Sequence, residues 1–351
     1  MSAQLEAGLV TVIIPARDEE RFIGACLDSV LAQDERRLQV IVVDGASRDR
    51  TPEIVLEYAA RDPRVELLTN RDGIIPRSLN LALVAARGEW MVRIDAHSTV
   101  PRGYVSGLLR HLETGRWGGV GGRKDGVGVT PAGRAIAAAM GSRFGVGNST
   151  YHYGSSLRTV DHIPFGAYPT SLVRRLGGWE ERLLVGQDLE LDYRIITQAR
   201  RPLLFDPALV ISWHCRQSIK ALFWQYRRYG RDRPNNARLH PGTLHLRHLA
   251  APALVVASLA ALALLPVWPL VAALVFGLYA LALTAASIYT ARSVKGWQAR
   301  ALVPIAFATM HLAWGVGFWE GLFGIKPAAA TALAPPAELA ADLVTPERMA
   351  R

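Results

Sequence analysis

Residues 249–290 contain no Asp, Glu, Lys or Arg. A run of that length has no charged face to turn toward water, so it constrains the architecture more tightly than anything else in the chain. Pro266 and Pro269 divide it into segments 249–265 and 268–290. At about 1.5 Å of rise per helical residue, each is long enough to cross a hydrocarbon core of roughly 30 Å. A helical hairpin buried in a soluble core is the alternative use of such a run, and the flanking charge argues for the bilayer. Between residues 200 and 247 lie Arg201, Arg216, Lys220, Arg227, Arg228, Arg231, Arg233 and Arg238, opposed only by Asp206 and Asp232. Basic residues gather on the cytoplasmic side of membrane helices.

The same placement interprets the formal charge of +10. Nucleic acid, anionic lipid and phosphorylated substrates are the usual partners of such an excess. Here it is massed in 216–247, which reads as a basic interfacial segment on lipid rather than a nucleic-acid surface. Arg292, Lys295 and Arg300 then return positive charge to the cytoplasmic side. A third apolar candidate, 301–323, is interrupted by Pro304 and His311 and is expected either to span or to re-enter. The Ala/Pro-rich residues 326–351 read as a disordered tail. The first ten residues have neither the basic start nor the apolar length of a secretory signal. A cytosol-facing domain over 1–247 is therefore expected, attached to the inner (cytoplasmic) membrane by a multi-pass region over 248–325. Cys26 and Cys215 stand in no Cys-x-x-Cys or zinc-like spacing and read as packing residues.

Upstream, strands alternate with helices. β-Branched runs at 10–14, 38–43, 65–68 and 90–94 are separated by helical patterns at 21–31, from Thr51-Pro52-Glu53 onward, and at 76–86. Thr51 reads as a capping hydroxyl. Such alternation predicts an α/β, Rossmann-like, mostly parallel sheet with helices on both faces. Ligands of these sheets sit beyond the carboxyl ends of the strands, where Asp44 and Asp95 fall. Loop solvation or helix capping is the competing use of either acid alone. Residues 131–158 show no clear period and read as a mobile loop. A helix is expected over 188–199 and strand pieces over 202–205 and 208–213.

Five segments in order, VTVIIPARDEERFIGACLDSVLAQ, VIVVDGASRDRT, MVRIDAHS, VGQDLELDYR and QYRRYGRD, resemble family 2 glycosyltransferases with the GT-A fold. The resemblance covers roughly residues 9 to 235. With C-terminal membrane helices added, the chain is similar to exopolysaccharide glucosyltransferases of the succinoglycan-assembly type. The resemblance implies that Asp44 holds the nucleobase or ribose and that Pro15, Arg17 and Glu19 wall the same pocket. It places Arg77, ahead of Asn80, near donor phosphate. Asp95-Ala-His97 matches the family's Asp-x-Asp motif, with Asp95 near ribose or metal and His97 in place of the metal-binding acid. Imidazole is a softer, neutral ligand, which raises Mn²⁺ relative to Mg²⁺ as the implied cofactor. His214 is either a further ligand or an ordinary strand-end histidine. Asp188 matches the catalytic base, with Gln187 where Glu is common. Gln225, Arg228 and Tyr229 match the Gln-x-x-Arg-Trp signature with Tyr for Trp, on the diphosphate and acceptor side.

The implied activity is inverting transfer of one sugar, with glucose from a UDP-sugar as the expected donor, to a lipid-linked glycan. A polyprenyl-phosphate glycosyltransferase and an inactive nucleotide-binding membrane scaffold are the rivals. A dinucleotide oxidoreductase is disfavoured, because no Gly-x-Gly-x-x-Gly loop follows the first strand.

Overall fold

The computed structural model describes residues 4–325, so the expected tail at 326–351 lies outside the described residues. The chain forms two compact units, 4–124 with 154–213, and 125–153 with 214–325. The first is built on a sheet whose β-rich runs appear where the sequence places them: β1 (Glu6–Ala16), β2 (Leu38–Asp44), β3 (Val65–Thr69) and β4 (Gly88–Arg93). Helices α1 (Ile23–Leu31), α2 (Thr51–Arg61) and α3 (Ile75–Ala85) connect them, and the order β3-β2-β1-β4 is parallel throughout. All seven residues of β2 are buried. Successive side chains of a strand point to opposite faces, so both faces of the sheet are covered there.

Beyond β4 the sheet turns antiparallel, which the sequence pattern does not reveal. β5 (Ser98–Thr99), β6 (Gly119–Val127), β7 (Arg158–Val160), β8 (Ala167–Pro169) and β9 (Leu203–His214) complete it, in the order β4-β8-β6-β9-β5 with β7 also on β9. The two pieces expected at 202–205 and 208–213 are thus one strand. Helix α4 (Tyr104–Leu112) precedes β6, and α5 (Pro131–Met140) and α6 (Arg143–Val146) follow it. After β8, α7 (Thr170–Arg175) and α8 (Gln187–Thr197) complete the helices of the first unit. Leu79, Leu83, Leu172, Trp179, Leu191 and Ile195 pack with Ile13, Ile41 and Met91 on one sheet face.

Residues 131–158 are not a shapeless loop, since α5 and α6 lie within them. The Thr130 hydroxyl caps α5, accepting from the Gly133 N–H at 2.8 Å. Alanine occupies so much of α5 that no polar face marks its period, although alanine is the best helix former.

The second unit also holds α9 (Ile219–Leu239), α10 (Ala250–Leu264), α11 (Pro269–Ala291) and α12 (Trp297–Leu322). Spans 246–264, 269–291 and 297–322 are long and apolar enough to cross a membrane. Pro304 does not break α12. That helix lies against α9 through glycines: a Cβ at Gly317 or Gly321 would collide with the carbonyl of Arg227 or Arg231, and one at Gly230 with that of Trp314. Glu320 closes this seam by pairing with Arg227 and, at 2.6 Å, with Arg231.

Candidate active site

The carboxyl ends of β1 and β2 finish level, Ala16 opposite Asp44. The loops that follow are stitched to each other. Asp18 N–H donates to Ser47 Oγ at 2.9 Å, Glu19 N–H to Thr51 Oγ1 at 2.8 Å, and Glu20 N–H to Asp49 Oδ2 at 3.0 Å. Thr51 is thus the first residue of α2 and braces the neighbouring loop; it is not the cap expected from its sequence position. Asp18 and Ala46 both have left-handed backbones, φ 54° and 58°. An alanine there is strained, and such strain persists where the surroundings fix a loop for use.

Asp44 is buried and accepts from the Ser47 N–H at 3.2 Å, so its carboxylate shapes the turn as well as facing the strand edge. Pro15 is in the last residues of β1, paired with Val43, and Arg17 just past the strand reaches the Gly73 carbonyl at 3.4 Å. Arg77 is buried with its guanidinium on Asp72 at 2.6 Å.

Asp95 follows β4, across β1 from Asp44; two strand spacings separate the chains by roughly 10 Å. Its Oδ1 accepts from Arg93 Nε at 3.1 Å and Nη2 at 2.9 Å, and the third guanidinium nitrogen bonds Asp188. One buried arginine therefore joins the acid at the end of β4 to the acid at the start of α8. Burial pushes Asp95 up, but Arg93, His97 and Lys124 together hold it below the usual carboxylate range. Arg93 itself is raised, its two carboxylates outweighing the burial that opposes its charge. Beneath Asp95 the Cys26 thiol points at its carbonyl, 3.7 Å away, and burial pushes that thiol up. Cys26 is an inert packing residue, as expected.

Asp188 is the second residue of α8, behind the left-handed Gly186 (φ 80°) and the buried Gln187. Its Oδ1 accepts from the Trp179 indole N–H at 3.1 Å. Asn80 fixes Trp179 in turn: its Oδ1 accepts from the Trp179 N–H at 2.8 Å and its Nδ2 donates to the Trp179 carbonyl at 2.9 Å. Neither Arg93 nor Trp179 stands out in the sequence. Arg93 has Asp95 beside it in sequence, but its second partner, Asp188, is brought by the fold from 95 residues away.

His97 Nδ1 lies 2.8 Å from Glu19 Oε1. A carboxylate on one imidazole nitrogen orients the other as a donor to a metal. Asp95 and His97 thus fit a divalent cation as two protein ligands. Among the described residues no three of His, Cys, Asp and Glu stand together as a ready metal site, so Asp95, His97 and His214 do not form one. A cation here would need oxygens from a diphosphate, the usual arrangement for Mg²⁺ and its substrates. His214 belongs to the second unit, as do Gln225, Arg228 and Tyr229 on α9, where Gln225 Nε2 donates to the Tyr229 hydroxyl at 2.9 Å.

The parallel half-sheet with acids at its carboxyl edge and an antiparallel extension is the GT-A arrangement. A mannosyltransferase from Pyrobaculum calidifontis, solved in complex with GDP-Man and Mn²⁺, superposes with a TM-score of 0.62 at 22% identity, covering 90% of this chain and 88% of that one. The sequence model of glycosyl transferase family 2 matches residues 11–176. "Succinoglycan biosynthesis protein ExoA" of Rhizobium meliloti (strain 1021) is 30% identical over 329 residues, 93% of this chain and 98% of that protein. The chain belongs to glycosyl transferase family 2. A further relative, the Methanococcus voltae "Dolichyl N-acetyl-alpha-D-glucosaminyl phosphate 3-beta-D-2,3-diacetamido-2,3-dideoxy-beta-D-glucuronosyltransferase", is 22% identical over 63% of this chain and 71% of its own length.

Proposed function

We propose that this protein is an inverting glycosyltransferase at the cytoplasmic face of the inner membrane, transferring one sugar from a nucleoside-diphosphate donor to a lipid-linked glycan in exopolysaccharide assembly. The observation that carries the reading is the Asp95–Arg93–Asp188 link, which sets a donor-side acid and a base across one guanidinium. The R. meliloti relative's name supports the polysaccharide context, and the M. voltae relative's name, which includes a dolichyl phosphate-linked sugar, supports the lipid-linked acceptor. The three apolar helices are the means of reaching such an acceptor. The expected donor is UDP-glucose.

In this mechanism Asp44 and the stitched β1 and β2 loops hold the nucleoside. Arg93 and the Trp179 indole hold Asp188 in place, and each of its oxygens keeps a lone pair beyond the bond it accepts. Asp188 takes the acceptor hydroxyl proton while that oxygen bonds the anomeric carbon from the face opposite the phosphate. The carbon–oxygen bond to the diphosphate breaks, and its electron pair leaves with the nucleotide, so an α-linked donor gives a β product. A divalent cation held by Asp95 and His97, Mn²⁺ or Mg²⁺, would neutralise charge gathering on the diphosphate. Asp188→Asn is expected to lower kcat by about 10²–10⁴-fold while leaving nucleotide affinity within a factor of two. Initial rates with a panel of sugar nucleotides on native lipid extract, beside nucleotide titration, measure both. An Asp188→Asn enzyme retaining most of its turnover would instead mark a phosphate acceptor, which is ionised before it reacts.

A further inference from the structure

We propose that Lys124 binds the β-phosphate of the donor and takes up negative charge as the nucleotide leaves. The inference rests on the sugar-nucleotide reading above. Lys124 is in β6, and its ammonium lies 3.7 Å from the centroid of the Trp213 ring and 4.5 Å from that of Phe165. Both rings are buried, whereas Lys124 is half-exposed. A cation seated on two ring faces is partly desolvated yet held in place, the condition under which it acts strongly on an anion.

The shelf is itself unusual. Phe165 has a left-handed backbone, φ 53°, which a bulky side chain adopts only under constraint. That turn sets its ring against two cations, Lys124 on one hand and Arg93 at 5.8 Å on the other. Trp213 likewise carries Lys124 and lies 5.9 Å from the His97 ring. Phe165 and Trp213 thus gather Lys124, Arg93 and His97 into one cluster of side chains.

Of these groups Arg93 is committed at both ends, to Asp95 and to Asp188, and is buried. Arg77 is committed to Asp72. Lys124 is likewise engaged by its neighbours and differs in being partly exposed, so that a phosphate can reach it. It also answers the chemical gap left by His97: an imidazole in place of an acid brings less charge to hold a cation, so more of the leaving group's charge falls to a side chain.

Full-length enzyme in nanodiscs, titrated with UDP, UMP, GDP and GMP with and without Mn²⁺, tests this, with tryptophan fluorescence or calorimetry as readout. Lys124→Met is expected to weaken the diphosphate of whichever pair binds by about tenfold or more, the weight of a charge-assisted bond, and the monophosphate by less than about twofold. Lys124→Arg is expected to keep most of the diphosphate preference. Equal losses for diphosphate and monophosphate, or a Lys124→Met protein that melts earlier yet keeps its diphosphate preference, would show a packing role and overturn the inference. Wild-type protein that binds neither UDP nor GDP would remove the sugar-nucleotide reading and this inference with it.

Discussion

Asn80 shows how much of the site depends on groups that touch no substrate. It reads both main-chain polar groups of Trp179 and also bonds Glu181 Oε1 at 2.8 Å, and Trp179 in turn holds Asp188. Asn80→Ala would leave a buried N–H and a carbonyl without partners, at about 1–3 kcal/mol for each buried group. Denaturation monitored by circular dichroism should show a loss of roughly 2 kcal/mol or more, accompanied by lower turnover with donor KM little changed. At this scale the acids were legible: Asp44 and Asp95 end apolar runs, and Asp188 sits in a motif. Their partners Arg93, Trp179, Lys124 and Phe165 were not. Each is ordinary in its own segment, and its role depends on side-chain contacts that the pattern of residues does not display.

Among the elements, the parallel strands were readable because burial on both faces demands continuous β-branched runs. The antiparallel extension was not, since β5, β7 and β8 have two or three residues each and cannot show a period. Helix α9 was readable as basic and amphipathic, but its buried acid was not singled out. Asp232 is 8% exposed, and burial pushes its carboxyl from 3.8 up to about 6, against the pull of Asn235, Arg228 and Arg231. A carboxyl raised on folding stabilises the protein below the unfolded value, and that contribution is lost as pH rises through the folded value. The window is therefore about pH 4 to 6. Asp232→Asn should raise the thermal midpoint at pH 7.5, by a stabilisation on the order of 2 kcal/mol, and the difference should vanish near pH 4. Melting curves of both proteins in one detergent across that range give the comparison; a gap that does not change with pH would show that burial of Asp232 carries no such cost.

For the whole molecule, the proposed orientation, with the basic flank on the cytoplasmic side, can be checked directly. Cys26 and Cys215 are buried. A cysteine placed at Val267, in the turn between α10 and α11, should react with a membrane-impermeant maleimide in intact cells. One placed at Ser293, beside Arg292 and Lys295, should react only after lysis. The reverse pattern would invert the topology and with it the cytosolic placement of the sugar-nucleotide site.

The glycine seam between α9 and α12 ties this layout to exact spacing. Gly317 and Gly321 recur one helical turn apart, and Glu320 stands between them to meet Arg227 and Arg231. Because each residue advances a helix by about 100°, inserting or deleting one position ahead of Gly317 would swing both notches off the partner and carry the carboxylate round with them. The length of α12 upstream of that point is thereby coupled to the seam, much as the teeth of a key fix the distance to its shoulder.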